Sequence, residues 1–381
     1  MSRNRNGLFF LDASVFFSSL GLGLTAYFIP TYVQSIGGSM FDVGLVGSAK
    51  SALYAFLPFF LGYLSDRGIR RQLYIFGIFV NLASTALLVA AKTVPYVIVT
   101  QLLASVGYSL LWPITEAMVA ESVESDRRVA AMGWYSVSWA LGFLIGPGIG
   151  GPLVAWRGYL SLFMISSAVL LFTIAFTLLT LGKSYRPKAM PAKTSPMLPS
   201  RALAPAYVAV LAYGIIFGII VSLFPGYLGA FAYDKTTIGL LFSLFGLARI
   251  VAFVSVNRLN RALPRAALYL SVAFMFAGCA LVGVLQSTSL PVMAALLLVS
   301  GYGFGVFYPV TLVVVSNSTK QERLGAAVGA LEAFYGVGVV VGPIIGGYIS
   351  SVSLATPYLL CCAVSLVIPP LIAAQDKILR R

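Results

Sequence analysis

A chain of 381 residues that is 59% hydrophobic and only 9% charged, with a mean hydropathy of +0.95, is too apolar for a water-soluble globule and reads as an integral membrane protein. Its formal net charge of +14 comes from cations spread over many loops rather than gathered with aromatics on one face, which argues against a nucleic-acid partner. With no histidine and three cysteines (Cys279, Cys361, Cys362) that lack ligand spacing, neither a metal nor another cofactor nor an enzyme site is expected.

Apolar stretches long enough to cross a core of roughly 30 Å as helices are expected near 8–34, 41–64, 71–91, 95–119, 128–155, 157–182, 204–231, 236–257, 265–286, 290–316, 324–351 and 354–375. The first follows MSRNRN without a small-residue cleavage pattern, so it is expected to remain as a span. The fold class is therefore all-α integral membrane with twelve transmembrane helices. Twenty of the 25 Lys and Arg fall on one side of the spans and only Lys92, Arg157 and Lys235 on the other, which predicts cytoplasmic termini. Residues 183–203, rich in Pro, Ser and Lys, read as a cytoplasmic linker between six-span bundles at 1–182 and 204–381.

The fifth span carries GWYSVSWALGFLIGPGIGG, with Gly133, Gly142, Gly146, Pro147 and Gly150. Gly142, Gly146 and Gly150 are four apart and share one helix face, where a neighbouring backbone can approach closely. Pro147 removes a backbone donor and is expected to bend the helix or leave it easily bent. The same pattern returns 196 residues later as Gly329, Gly338, Gly342, Pro343 and Gly346, and an offset of 195 relates Pro30 to Pro225, Gly44 to Gly239 and Arg70 to Arg265. The two halves are duplicates, the plan of a carrier that rocks two bundles about a central site.

On these residues the chain resembles the major facilitator superfamily over essentially its whole length. The loop GYLSDRGIRRQL at 62–73 is similar to that superfamily's signature between the second and third spans, with Gly62, Leu64, Asp66, Arg67, Arg70 and Arg71 in register and Ile69 where the second glycine belongs. The GPGIGG ending resembles the antiporter signature of the drug:proton antiporter families. Gln101 stands where those families often carry an arginine, so that arginine's role does not transfer. The resemblance implies two pseudo-symmetric six-helix bundles in the major facilitator fold. It also implies a conformational latch of Gly62, Asp66, Arg67, Arg70, Arg71 and Asp126, with Asp66 facing Arg323 and Arg70 meeting Glu121 or Asp126. Solvated topology determinants are the alternative for these charges.

Charges inside the bilayer are costly unless paired or wetted. Asp12, Glu116 and Glu332 are the candidates for proton coupling, although Glu116 and Asp12 lie close enough to a span end to snorkel. Arg249 and Glu332 each sit about eight residues, roughly 12 Å, from the cytoplasmic end of their spans. They are expected either as an ion pair that fixes packing or as a proton-linked carboxylate beside a cation. Lys50 reads as a counter-charge for an anionic substrate or as a neutral amine. With Arg249 it is a candidate for the substrate cavity, together with Tyr54, Trp112, Tyr308 and Tyr335. The expected function is proton-coupled antiport of small organic or drug-like compounds by a monomer in a prokaryotic plasma membrane, its partners being substrate, protons and lipid. A symporter or uniporter for organic anions or sugars is the alternative.

Overall fold

A computed structural model describes residues 2–57, 61, 69–123, 128–181, 201–262, 264–284, 289–319 and 324–379. Among them the regular structure is helical throughout: α1 (Ser2–Ala26), α2 (Ile29–Ser35), α3 (Met40–Ala52), α4 (Arg70–Leu87), α5 (Val94–Ser122), α6 (Arg128–Leu181), α7 (Ala204–Ala230), α8 (Lys235–Ala262), α9 (Pro264–Gly283), α10 (Leu290–Asn317), α11 (Leu324–Ile349) and α12 (Thr356–Leu379). Ten described segments are long and apolar enough to cross a membrane. One of them, Ala131–Leu181, reverses at Gly158, where a φ of 78° suits a residue without a side chain, so α6 supplies two spans. The second expected span is described through residue 57 and again at 61.

Two expected spans are not continuous helices. The first divides into α1 and α2 at Tyr27 and Phe28, because Pro30 has no N–H to offer the turn before it. The second breaks after Ala52, and the Leu53 and Tyr54 N–H groups both donate to Ser105 Oγ of α5, at 2.9 and 3.1 Å. Backbone donors released from a helix at membrane depth need such a partner, and a fully buried serine 52 residues away supplies it.

The duplication extends to the turns. Gly37 and Ala232, 195 residues apart, both have positive φ, 88° and 60°. The next residues close the same backbone bond, Gly38 N–H to Val33 O at 2.9 Å and Tyr233 N–H to Leu228 O at 3.1 Å. Ser39 then caps α3 in a reciprocal box with Asp42, and Asp234 caps α8 by accepting from Thr237 N–H at 2.8 Å. That backbone donor and the Thr237 hydroxyl hold the Asp234 carboxyl below its ordinary range.

The glycine stripes bring helices to backbone contact within each half. A Cβ at Gly142, Gly146 or Gly150 would lie 2.6 Å from Leu20 N, 2.5 Å from the Gly23 carbonyl carbon and 2.6 Å from Leu24 O, so α6 rests directly on α1. Gly338 and Gly342 stand in the same relation to α7, 2.9 Å from Gly214 Cα and 3.0 Å from Ile215 Cα. Gly133 and Gly329, which open the two patterns, face open space.

Two further seams join the halves, and they are copies of each other. Gly44 of α3 meets the Pro343 carbonyl and Gly347 of α11, while Gly239 of α8 meets the Pro147 carbonyl and Gly151 of α6. Beside them Ser48 Oγ donates to Val340 O at 2.6 Å and Ser243 Oγ to Leu144 O at 2.7 Å. Each acceptor lies three residues before its proline, in the turn that proline disturbs. Tyr27 stacks on Phe242 with centroids 4.0 Å apart. Among the described residues these contacts run from the end opposite the termini, at Phe41 against Tyr348, to about mid-depth at Trp139 against Phe253 and Ala55 against Gly336.

Candidate functional site

The half-to-half seams leave a crevice at mid-depth into which residues of both bundles project. From the second half, the Tyr308 hydroxyl of α10 donates to Glu332 Oε1 of α11. Tyr335 and Tyr213 pack around that pair, with ring centroids 5.4 Å (Tyr308 to Tyr335), 6.1 Å (Tyr213 to Tyr308) and 5.9 Å (Tyr213 to Tyr335) apart. From the first half, Tyr54, placed by the break in the second span, lies within electrostatic range of both Glu332 and Glu116, and Glu116 of α5 is within range of Glu332 itself. Glu116 is exposed even though groups of both halves surround it. The open space it faces is therefore the crevice rather than bulk solvent. Tyr135 of α6 senses both Glu116 and Asp12 of α1, and Asp12 keeps a buried Oδ1 without a hydrogen bond. Glu116, Tyr54, Tyr308, Glu332 and Tyr335 are thus brought together, and Asp12 lies to one side of them.

Three expectations need correction. Arg249 and Glu332, expected at a common depth, form no ion pair, because α8 packs on α6 and α10 whereas α11 packs on α7 and α3. Arg249 instead points into an aromatic cage, 4.9 Å from the centroid of Trp139, 5.3 Å from Phe217, 5.7 Å from Phe253 and 5.9 Å from Phe245, with its Nε free of hydrogen bonds. A guanidinium on several ring faces in a desolvated place gains about 2 kcal/mol. Lys50 does not reach the crevice: it lines a cavity within the first half, its Nζ 5.0 Å from the Tyr108 ring centroid. Trp112, 9% exposed, is core, packed on Tyr108, Trp139 and Phe143.

Of the expected latch, Arg70 and Glu121 form an ion pair between α4 and α5, both largely buried, and Arg71 Nη2 donates to Leu178 O at 3.4 Å. Gly62, Asp66, Arg67, Asp126 and Arg323 lie outside the described residues. The sequence reading passed over the cage around Arg249, although Phe245 and Phe253 stand four residues to either side of it, a one-face spacing. It also passed over Ser48 and Ser243, whose separation of 195 was a usable signal.

The Major Facilitator Superfamily model matches residues 11–231 and 206–375. The chain belongs to the Major Facilitator Superfamily. It is accordingly a multi-pass membrane transporter rather than an enzyme. Multidrug resistance protein 1 of Bacillus subtilis (strain 168) is 26% identical to it over 94% of this chain and 93% of that one. The multi-drug resistance efflux pump PmrA homolog of Lactococcus lactis subsp. lactis (strain IL1403) is 25% identical, over 91% and 89%. Quinolone resistance protein NorA of Staphylococcus aureus (strain MRSA252) is 21% identical, over 94% of each. Among solved structures, a point mutant of nucleoside transporter NupG superposes with a TM-score of 0.83 at 15% identity, over 97% of this superfamily member and 99% of that chain. A bacterial homolog of the human lysosomal transporter Spinster, in an inward-facing and unoccupied conformation, gives 0.76 at 12% identity, over 99% and 97%.

Proposed function

We propose that this transporter is a proton-coupled antiporter that exports small organic, drug-like compounds, working as a monomer by alternating access with both termini in the cytoplasm of a prokaryotic cell. One observation carries the reading: Glu116 and Glu332, from opposite halves, face one aromatic crevice, and Glu332 is held by a tyrosine hydroxyl rather than by a cation. A carboxylate that takes either a proton or an organic cation, but not both at once, drives the two in opposite directions when the crevice opens alternately to each side. The surrounding tyrosines offer ring faces to a planar or cationic compound. The multidrug and quinolone resistance names of the relatives support the same substrate class.

The positive-inside count puts the seams among the described residues on the outer side, where their contacts would close the crevice to the outside. The Arg70 and Glu121 pair, one of the contacts expected of the latch, joins α4 to α5 within the first half. Arg249, with its unbonded Nε near the crevice, favours the second reading, a symporter or uniporter for organic anions. Everted membrane vesicles loaded with a pH gradient and offered aromatic cations, neutral compounds and anions separate the two. Gradient-driven accumulation of cations, lost in Glu332→Gln and weakened in Glu116→Gln, is the expected outcome. Accumulation of anions that survives Glu332→Gln and fails in Arg249→Leu would replace it with the second reading.

A further inference from the structure

The cavity inside the first half is separate from the crevice and has a chemistry of its own. It lies among α1, α3, α4 and α5 and has room for a single group of about the size of a water molecule. Lys50 enters it from α3, and among the described residues it has no carboxylate within ion-pairing distance; its one charge-compensating contact there is the Tyr108 ring. Asn81, Thr85, Gln101 and Tyr108 give the cavity polar lining, beside the apolar Leu22, Ile29 and Leu88. Asn81 and Gln101 are 0% and 2% exposed. Asn81 Nδ2 spends one hydrogen on Gly77 O at 2.9 Å, and Gln101 Nε2 reaches Thr100 Oγ1 only at 3.4 Å, so amide N–H groups are left over on both.

An ammonium at membrane depth needs a counter-charge, and surplus N–H and O–H donors around it describe an anion's first shell. We propose that this cavity binds one small inorganic anion of halide size, held by Lys50 and the amides of Asn81 and Gln101, as a structural counter-ion independent of the exported compound. The narrowness of the cavity sets the class: a monatomic halide is only somewhat larger than the water-sized group the cavity admits, whereas an organic carboxylate is several times larger.

The test is the unfolding midpoint of the purified full-length protein titrated with chloride, bromide or benzoate, with gluconate holding ionic strength constant. Chloride and bromide are expected to raise the midpoint by a few degrees with saturation, as a ligand of the native state does, and benzoate to leave it unchanged. In Lys50→Gln the halide response disappears. Gln101→Glu places a fixed carboxylate in the same wall and is expected to abolish the response in a folded protein, so it decides the matter should Lys50→Gln fail to fold. No saturable halide effect in the wild type, an undiminished effect in the variants, or a response to benzoate in place of chloride would each overturn the proposal.

Discussion

Replacing Ser48 and Ser243 with alanine is expected to loosen the two seams between the halves without unfolding either half. Each hydroxyl donates across the interface into a proline-disturbed turn, Ser48 to Val340 O and Ser243 to Leu144 O. A net intramolecular hydrogen bond contributes about 1 kcal/mol. Because the two seams are copies and open together, the double variant loses roughly 2 kcal/mol from the joined state alone, a shift of about 30-fold in the ratio of joined to open molecules. The lost bonds are between halves, so the cost falls on the conformational equilibrium and the melting temperature changes little. Spin labels replacing Phe41 and Tyr348, whose rings lie 6.3 Å apart at the far end of one seam, report the opening as a growing long-distance population. Each single variant is expected to give an intermediate population. A double variant that melts early yet keeps the short distance would refute the assignment of these hydroxyls to the moving interface.

Other outcomes follow from the same contacts. Gly146→Ala would push a methyl group against Gly23 and Leu24 backbone atoms at 2.5 to 2.9 Å and is expected to cost about 1 to 3 kcal/mol; Gly133→Ala, with nothing within 4 Å, is expected to be neutral or slightly stabilising, and thermal unfolding in detergent compares the two. Ser105→Ala strips the acceptor from the Leu53 and Tyr54 N–H groups and should destabilise by about 2 kcal/mol, read as a lowered melting temperature with faster amide exchange at residues 53–57. Asp234→Ala removes a helix cap worth about 1 kcal/mol at neutral pH. Because hydrogen bonds from Thr237 depress the Asp234 carboxyl, its contribution is present above the ordinary carboxylate range and disappears as pH falls below about 4, so the melting curves of variant and wild type should converge there.

What was legible in the sequence was what repeats. The 196-residue echo of the glycine and proline pattern announced two equivalent helix contacts, and Gly142 and Gly146 on α1 stand to the first half as Gly338 and Gly342 on α7 stand to the second. Azimuth was not legible: Arg249 and Glu332 were expected side by side, yet the packing of α8 and α11 on different neighbours turned them to different company. The same limit misplaced Lys50 and Trp112, whose helices line the crevice with other faces. The break at Leu53 was only half legible: Pro58 leaves the Tyr54 carbonyl without its i−4 donor, but the group that takes the freed N–H groups, Ser105, comes from a different span.

Antiport requires that protons move against the exported compound, and Glu332 is the group expected to carry them. Proteoliposomes with an internal pH dye, given an aromatic cation under an imposed pH gradient, test this directly. Substrate-triggered proton movement opposite in direction to the compound, present in the wild type and absent in Glu332→Gln while that variant still binds the compound, is the predicted result. Compound flux without any proton signal, or a signal unchanged in Glu332→Gln, would contradict it.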